Sequence, residues 1–525
     1  MNNMIGDQRE ANGAAGTSSA RKTKLARSGI ATVIGQFSTI AISTGATIIM
    51  ARLLDPADFG LVAMVQALIL FIGSFRDFGL PMAALQSRDL DHLQSSALFW
   101  TNLPITIGVT LFMILMGPVL SWFFGAPELT LLTAVMSIGV LAPALANQHE
   151  ALLTRQLRFG ALVAWDAGFL IVGVVSAIGL ALLGAGYWAL AAQFIVWQVG
   201  RAVSVWIVTG WMPASLRAAR EARRQIRQLL SFGAYLTGYR VIAHAGRDID
   251  RVLVGYVGGP QALGLYDAAF RWARLPIQQL YTPLLGVAVA ALSTVREDAA
   301  AYRRHVRLIL TPVFSLSIPV LIYAAIAADA LILLLLGPKW SGAIPLFRAL
   351  CIGTTALAAS KTMKWLYVSL GETKRQFRWG LFYAPIFALC IAVGASYGAE
   401  GAAIAYAVAQ WGLLLPGLAY CLHGSPLRLD QFLHILARPL AAALIAGGFA
   451  WAVGLEYGNA HHLLQLTIKA GLFFPLYAAV WLLMPGGRTA LQDSLALITS
   501  LRRRQSAGSG SDIAPTAVAS RADMI

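Results

Sequence analysis

RVIAHAGRDIDRVLVGYVGGPQALGLYDAAFRWAR, residues 240–274, joins two apolar runs through a Gly-Gly-Pro turn and plants charges inside both. Arg240, His244, Arg247 and Arg251 recur at i, i+4, i+7 and i+11. At ~100° per residue these fall within about 60° of one another, a single stripe roughly 16 Å long on one helix face. Asp248 and Asp250 flank the stripe, and Asp267, Arg271 and Arg274 repeat the spacing at i, i+4 and i+7 beyond the turn. What these charges mean depends on the solvent around them.

That solvent is lipid. The chain has 525 residues, of which 58% are hydrophobic and only 12% charged, with a mean hydropathy of +0.67. A soluble protein carries about a quarter charged residues. Each crossing of ~30 Å of hydrocarbon needs about 20 apolar residues, and the chain supplies about fourteen such runs. They lie near 29–50, 60–80, 96–119, 129–146, 161–183, 187–208, 232–256, 263–286, 308–328, 345–368, 379–397, 401–421, 438–455 and 463–484. The expected fold class is therefore an all-α membrane protein of about 14 transmembrane helices. A further apolar stretch, Leu331–Leu336, separates the ninth run from the tenth.

The formal charge of +16 is distributed as topology signals are, in short basic clusters between apolar runs, and this excludes a nucleic-acid-binding role. Arg21, Lys22, Lys24 and Arg27 begin the series, Arg217, Arg220, Arg223, Arg224 and Arg227 continue it, and Arg502, Arg503 and Arg504 close it. Alternate loops carry almost nothing beyond Arg52 and Lys339. The asymmetry predicts both termini in the cytoplasm, with tails over 1–28 and 485–525, and an even number of spans. Residues 1–28 contain no apolar segment and do not read as a cleaved signal peptide. Cys351, Cys390 and Cys421 lie in or beside apolar runs without Cys-x-x-Cys spacing, which predicts packing and no metal site.

An internal repeat organises the runs. Ala51–Leu61 reads ARLLDPADFGL and Gly255–Leu265 reads GYVGGPQALGL; both contain Pro-x-x-x-Gly-Leu, with Pro56 and Pro260 separated by 204 residues. Phe124-Gly125 is echoed by Leu336-Gly337, and Gly184-Ala185-Gly186 by Gly398-Ala399-Glu400-Gly401. The order predicts two pseudo-symmetric six-helix lobes, 29–208 and 232–421, joined by a basic linker at 209–231. A helix pair within 422–484 completes the spans. Repeats of even parity share one orientation, as in transporters that rock two lobes about a central site. The competing reading is that Pro-Gly turns recur wherever helices reverse.

Each arginine placed mid-span in lipid costs about 3 kcal/mol, so the stripe exposed to lipid would cost close to ~10 kcal/mol. Two readings follow. Asp248, Asp250 and Asp267 can neutralise the arginines and pin the helices together, or the stripe faces water and an anionic ligand. Five arginines stand against those three aspartates in 240–274, which favours the second. A guanidinium binds phosphate oxygens bidentately and stays charged at any relevant pH. The candidate residues for a pyrophosphate or anionic glycan are thus Arg240, Arg247, Arg251, Arg271 and Arg274, with Lys361 and Lys364 in the tenth run. Asp166, His244, Asp248, Asp250 and Asp267 are the candidates for ion coupling, because they can titrate. No catalytic constellation, metal site or cofactor motif is visible, such as HExxH or a P-loop. A membrane glycosyltransferase or polysaccharide polymerase is the alternative from another class, and a multidrug exporter the alternative within transporters.

The chain also resembles the polysaccharide transporter (Wzx-type flippase) family. Within the multidrug/oligosaccharidyl-lipid/polysaccharide exporter superfamily it is most similar to the colanic-acid-exporter branch. The segments that carry the resemblance are ARLLDPADFGLVAM (51–64), FRDFGLPMAALQ (75–86), LFWTNLPITI (98–107), HEALLTRQLRFGAL (149–162), RDIDRVLVGYVGGPQALGLYDAAFR (247–271) and LLGPKWSGAIPLFRAL (335–350). The resemblance implies a fourteen-helix, two-lobed fold with a central cavity and no enzymatic activity. It further implies flipping of undecaprenyl-pyrophosphate-linked oligosaccharide units across the bacterial cytoplasmic membrane by alternating access, for exopolysaccharide, capsule or O-antigen synthesis. Membrane lipid, a polysaccharide polymerase and a chain-length regulator are the partners it suggests. Arg247, Asp248 and Arg251 are denser in charge than that family's pattern.

Overall fold

The computed structural model describes residues 35–76, 91–155, 159–218, 249–454 and 461–484. Among them the regular structure is entirely helical. The chain runs α1 (35–53), α2 (Pro56–Arg76), α3 (His92–Phe124), α4 (Glu128–Met136), α5 (Ile138–Arg155), α6 (Phe159–Leu182) and α7 (Tyr187–Thr209). After the basic linker come α8 (Ile249–Ser293), α9 (Ala299–Ile326), the short α10 (Ala328–Leu335), α11 (Ala343–Leu370), α12 (Thr373–Ala395), α13 (Gly398–Leu422), α14 (Leu429–Gly454) and α15 (His462–Leu483).

Twelve segments among the described residues are long and apolar enough to cross a membrane, α4 and α5 forming one of them. They correspond to the second to sixth and eighth to fourteenth expected runs. The first run is helical over 35–53, and the seventh is described only from Ile249 onward. The total of fourteen therefore stays an expectation. Leu331–Leu336 falls mostly on α10, whose 8 residues span only ~12 Å, too short to cross. Apolar side chains point outward along these helices, with Trp122 82% and Leu182 70% exposed. Such surfaces are stable only against lipid. The chain is a multi-pass membrane protein.

Local chemistry sets the helix ends. Asp91 caps α3 in a capping box with Gln94, and Gly125 ends it in the left-handed conformation at φ 66°. Asp298 caps α9 by accepting from the Ala301 and Ala300 amides, which hold its carboxyl below the usual carboxylate range. Inside α8 the helix breaks at Gly259, where φ 70° and ψ −170° suit only glycine, and Pro260 starts the next segment. This break is the Gly-Gly-Pro turn read from the sequence.

The chain groups by contact into two compact units. The first comprises Met1–Ala273, Ala328–Leu350 and Leu381–Ala409. Within it the two Pro-x-x-x-Gly-Leu motifs meet each other. A Cβ on Gly60 would lie 1.8 Å from the Pro260 carbonyl oxygen, and one on Gly264 would lie 1.8 Å from the Pro56 carbonyl oxygen. The contact is reciprocal, and only glycine lets the backbones approach this closely. Around it Trp340 donates from Nε1 to the Ala51 carbonyl at 2.8 Å, Arg52 donates to the Leu334 carbonyl, and Lys339 pairs with Asp55 at 2.8 Å. The ends of α1 and α2 are thereby fastened to the α10–α11 connection.

The second unit comprises Arg274–Ala327, Cys351–Gly380 and Gln410–Ile525. Its core gathers Phe314, Trp365, Phe432 and Phe473, and Tyr302 and Tyr477 find polar partners in it. Tyr302 shares a hydrogen bond with Ser369 at 2.9 Å, and Tyr477 donates to the Ser315 carbonyl at 2.9 Å. Lys469 reaches the Ile326 carbonyl at 3.5 Å, at the C-terminal end of α9 where a cation is favoured.

Candidate functional site

The site lies in the first unit and starts from Asp267. On α8, Asp267 and Arg271 are one turn apart and face the same way; Arg271 donates to Asp267 Oδ2 at 3.2 Å. Arg251 precedes the Gly259 break, which folds the chain back so that its Nε lies 2.8 Å from Asp267 Oδ1. One carboxylate thus bridges two guanidiniums. The Asp267 side chain is 7% exposed, that of Arg251 19% and that of Arg271 46%. The carboxylate is the buried centre and Arg271 its open edge. Arg251 also stands over the Phe270 ring, 5.9 Å from the centroid. Asp250, buried, accepts from the Tyr266 hydroxyl at 3.1 Å.

Arg271 opens onto a cavity of about 190 Å³. Ser43 and Thr47 from α1, Gln66 from α2 and Gln193 and Trp197 from α7 face it together with Asp267 and Arg271 from α8. Trp197 links this cavity to a second charged cluster. Its Nε1 donates to Asp166 at 3.1 Å, Arg201 Nε lies 3.7 Å from Asp166, and Arg201 also pairs with Glu150 at 3.1 Å. Here one guanidinium bridges two carboxylates.

Of the candidates read from the sequence, Arg251, Asp267 and Arg271 are brought into one cluster, with Asp250 nearby on the same helix. Asp166 joins the second cluster. Arg274, Lys361 and Lys364 belong to the second unit, where Arg274 and Lys361 are half-buried and Lys364 is exposed. Arg240, His244, Arg247 and Asp248 lie outside the described residues. The sequence reading missed Gln66, Gln193 and Trp197, which are uncharged and form no motif. It also missed Arg201 and Glu150, whose charges inside apolar runs were a legible signal. Among the described residues no group of acidic, histidine or cysteine side chains is placed to hold a metal ion.

Fold and site together define a polytopic, transporter-type helical protein with a charged layer inside its membrane-spanning region. Comparison with known proteins narrows this class. Residues 49–345 match the family described as polysaccharide biosynthesis protein. The chain belongs to that family, in line with its resemblance to Wzx-type polysaccharide transporters. It is 21% identical to the lipopolysaccharide biosynthesis protein WzxC of Escherichia coli (strain K12), over 73% of this chain and 77% of that one. It is 24% identical to the succinoglycan biosynthesis transport protein ExoT of Rhizobium meliloti (strain 1021), over 86% of this chain and 91% of that one. In fold it is similar to the lipid II flippase MurJ in an inward closed conformation, with a TM-score of 0.64 at 14% identity, over 86% of this chain and 99% of that one. An inward-facing multidrug resistance transporter of the MATE family gives a TM-score of 0.59 at 13% identity, over 74% and 94%.

Proposed function

We propose that this protein is a flippase that carries undecaprenyl-pyrophosphate-linked oligosaccharide units from the inner to the outer leaflet of the bacterial cytoplasmic membrane, by alternating access. The observation that carries this reading is the Arg251–Asp267–Arg271 cluster opening onto a polar cavity inside a membrane-spanning bundle. Its two cations exceed its one anion, and the open edge is the arginine. A guanidinium with part of its donor fork free suits phosphate oxygens. Arg240, Arg247, Arg274, Lys361 and Lys364 are further candidates for the charged headgroup on their sequence pattern alone. Membership of the polysaccharide biosynthesis family supports a glycan as the rest of the cargo. WzxC and ExoT, named for polysaccharide biosynthesis and transport, support it further.

The mechanism assigns binding and orientation to the arginines and no bond chemistry to any residue. The headgroup enters from the cytoplasmic side, the polyprenyl tail stays in lipid, and closure on one side accompanies opening on the other. The fastening of Ala51, Arg52 and Asp55 to Leu334, Lys339 and Trp340 lies where the charge asymmetry predicts the extracytoplasmic side. It is the contact that outward opening has to release. Asp166, Asp250 and Asp267 are the described candidates for ion coupling, and the charge asymmetry predicts both termini in the cytoplasm.

The test is translocation of a fluorescent undecaprenyl-pyrophosphate-linked glycan in vesicles reconstituted with the full chain, scored by accessibility to periodate. Arg271→Ala and Arg247→Ala at normal abundance are expected to slow it at least about tenfold, the effect of losing one charge-assisted contact. Normal rates in both variants would remove the arginines from the mechanism.

A further inference from the structure

We propose that the cavity beside Arg271 is a subsite for one uncharged pyranose ring, held by Gln66, Gln193 and Trp197. The inference deepens the flippase reading above and takes its biological meaning from it.

Charge comes first. Among the described residues the ionisable side chains lining the cavity are Asp267 and Arg271, which pair with each other at 3.2 Å. Asp267 is also held by Arg251 at 2.8 Å, so the positive excess of the cluster stays at the Arg271 edge. The rest of the described lining, Gln66, Gln193 and Trp197 included, carries no charge. The group that fits against that wall is neutral and rich in hydrogen-bonding atoms.

Hydrogen-bonding capacity comes next. A glutamine side chain offers two donors and an acceptor. Gln66 and Gln193 are half-buried, and neither carboxamide bonds a described residue. The Thr47 hydroxyl donates to the Ser43 carbonyl at 2.8 Å and keeps its lone pairs for a guest. Two amides with unspent capacity suit adjacent ring hydroxyls, each of which needs a partner once it leaves water.

The third element is a flat wall. Trp197 packs against Ala46, Leu170 and Val174, and its Nε1 is anchored on Asp166, so the indole is fixed where it lines the cavity. An immobilised indole presents an apolar face to the axial C–H groups of a sugar ring. Size then limits the guest. About 190 Å³ lies below the ~300–1,000 Å³ of ordinary small-molecule sites and has room for one ring, not for an oligosaccharide. The subsite therefore reads a single residue of the cargo.

The test uses the full chain in lipid nanodiscs and saturation-transfer NMR with five probes: glucose, galactose, N-acetylglucosamine, glucuronate and inorganic pyrophosphate. At least one neutral sugar is expected to bind saturably, to be preferred over glucuronate, and to keep binding when pyrophosphate is present. Gln66→Ala and Gln193→Ala should each weaken it about tenfold, and Trp197→Ala should abolish it. If Trp197→Ala does not reach the membrane, Gln193→Leu, which keeps the volume, decides. The proposal is overturned if no neutral sugar saturates, if glucuronate is preferred, if pyrophosphate abolishes sugar binding, or if the glutamine variants bind as before. A chain that binds the neutral sugar but translocates no lipid-linked glycan loses the flippase reading and keeps the subsite. Intact translocation with sugar binding indifferent to both glutamines does the reverse.

Discussion

In the first unit one cluster places a carboxylate between two guanidiniums, Arg251–Asp267–Arg271, and another places a guanidinium between two carboxylates, Glu150–Arg201–Asp166. They have opposite polarity and reach the same cavity, the first through Arg271 and the second through Trp197. They differ in depth as well. The shared anion Asp267 is 7% exposed, whereas the shared cation Arg201 is 37% exposed. Desolvation makes the buried centre indispensable to its partners, while water screens the open one. The same ion-pair arithmetic has unequal consequences, because the middle residue's burial sets them.

Substituting the two centres should bring this inequality out. Asp267→Asn leaves two guanidiniums facing a site without their counter-charge, and a loss of about 3–5 kcal/mol is expected. It would be measured as a fall in thermal stability of the detergent-purified protein, partly restored by adding Arg251→Met. Unchanged melting would show that Asp267 is not the keystone of its cluster. Trp197→Phe keeps a ring in place and removes only the N–H to Asp166, for an expected loss of about 1 kcal/mol. Chemical denaturation should show that loss disappearing in an Asp166→Asn background if the hydrogen bond is its source. Arg201→Gln, at the screened centre, is expected to cost about 0.2–1 kcal/mol, and less at high salt. A loss for Arg201→Gln as large as for Asp267→Asn would break the comparison.

The two clusters also differ in how far the sequence discloses them. Asp267 and Arg271 are one helical turn apart, so periodicity alone pairs them. Arg251 joins them because Gly-Gly-Pro forces a reversal between, a turn signal as plain as any in the chain. Asp166, Arg201 and Glu150 sit on α6, α7 and α5, and no periodicity connects residues on separate helices. Gln66, Gln193 and Trp197 are harder still, since a neutral polar residue within an apolar run costs too little to stand out. The helical class was legible from hydropathy because lipid demands about 20 apolar residues per crossing.

The reciprocal crossing of Pro56–Gly60 with Pro260–Gly264 has the form of a twofold homodimer contact within one chain. Each motif supplies both the carbonyl that approaches and the glycine that is approached. A half-length chain with one such face already contains everything the contact requires, and two parallel copies would complete it. Fusing the copies lets the rest of each half diverge, one keeping Asp166 and the other Asp267, while the crossing itself is held to self-complementarity. A side chain added on either strand of that crossing is answered only by a change on the other, so the two motifs are bound to drift together.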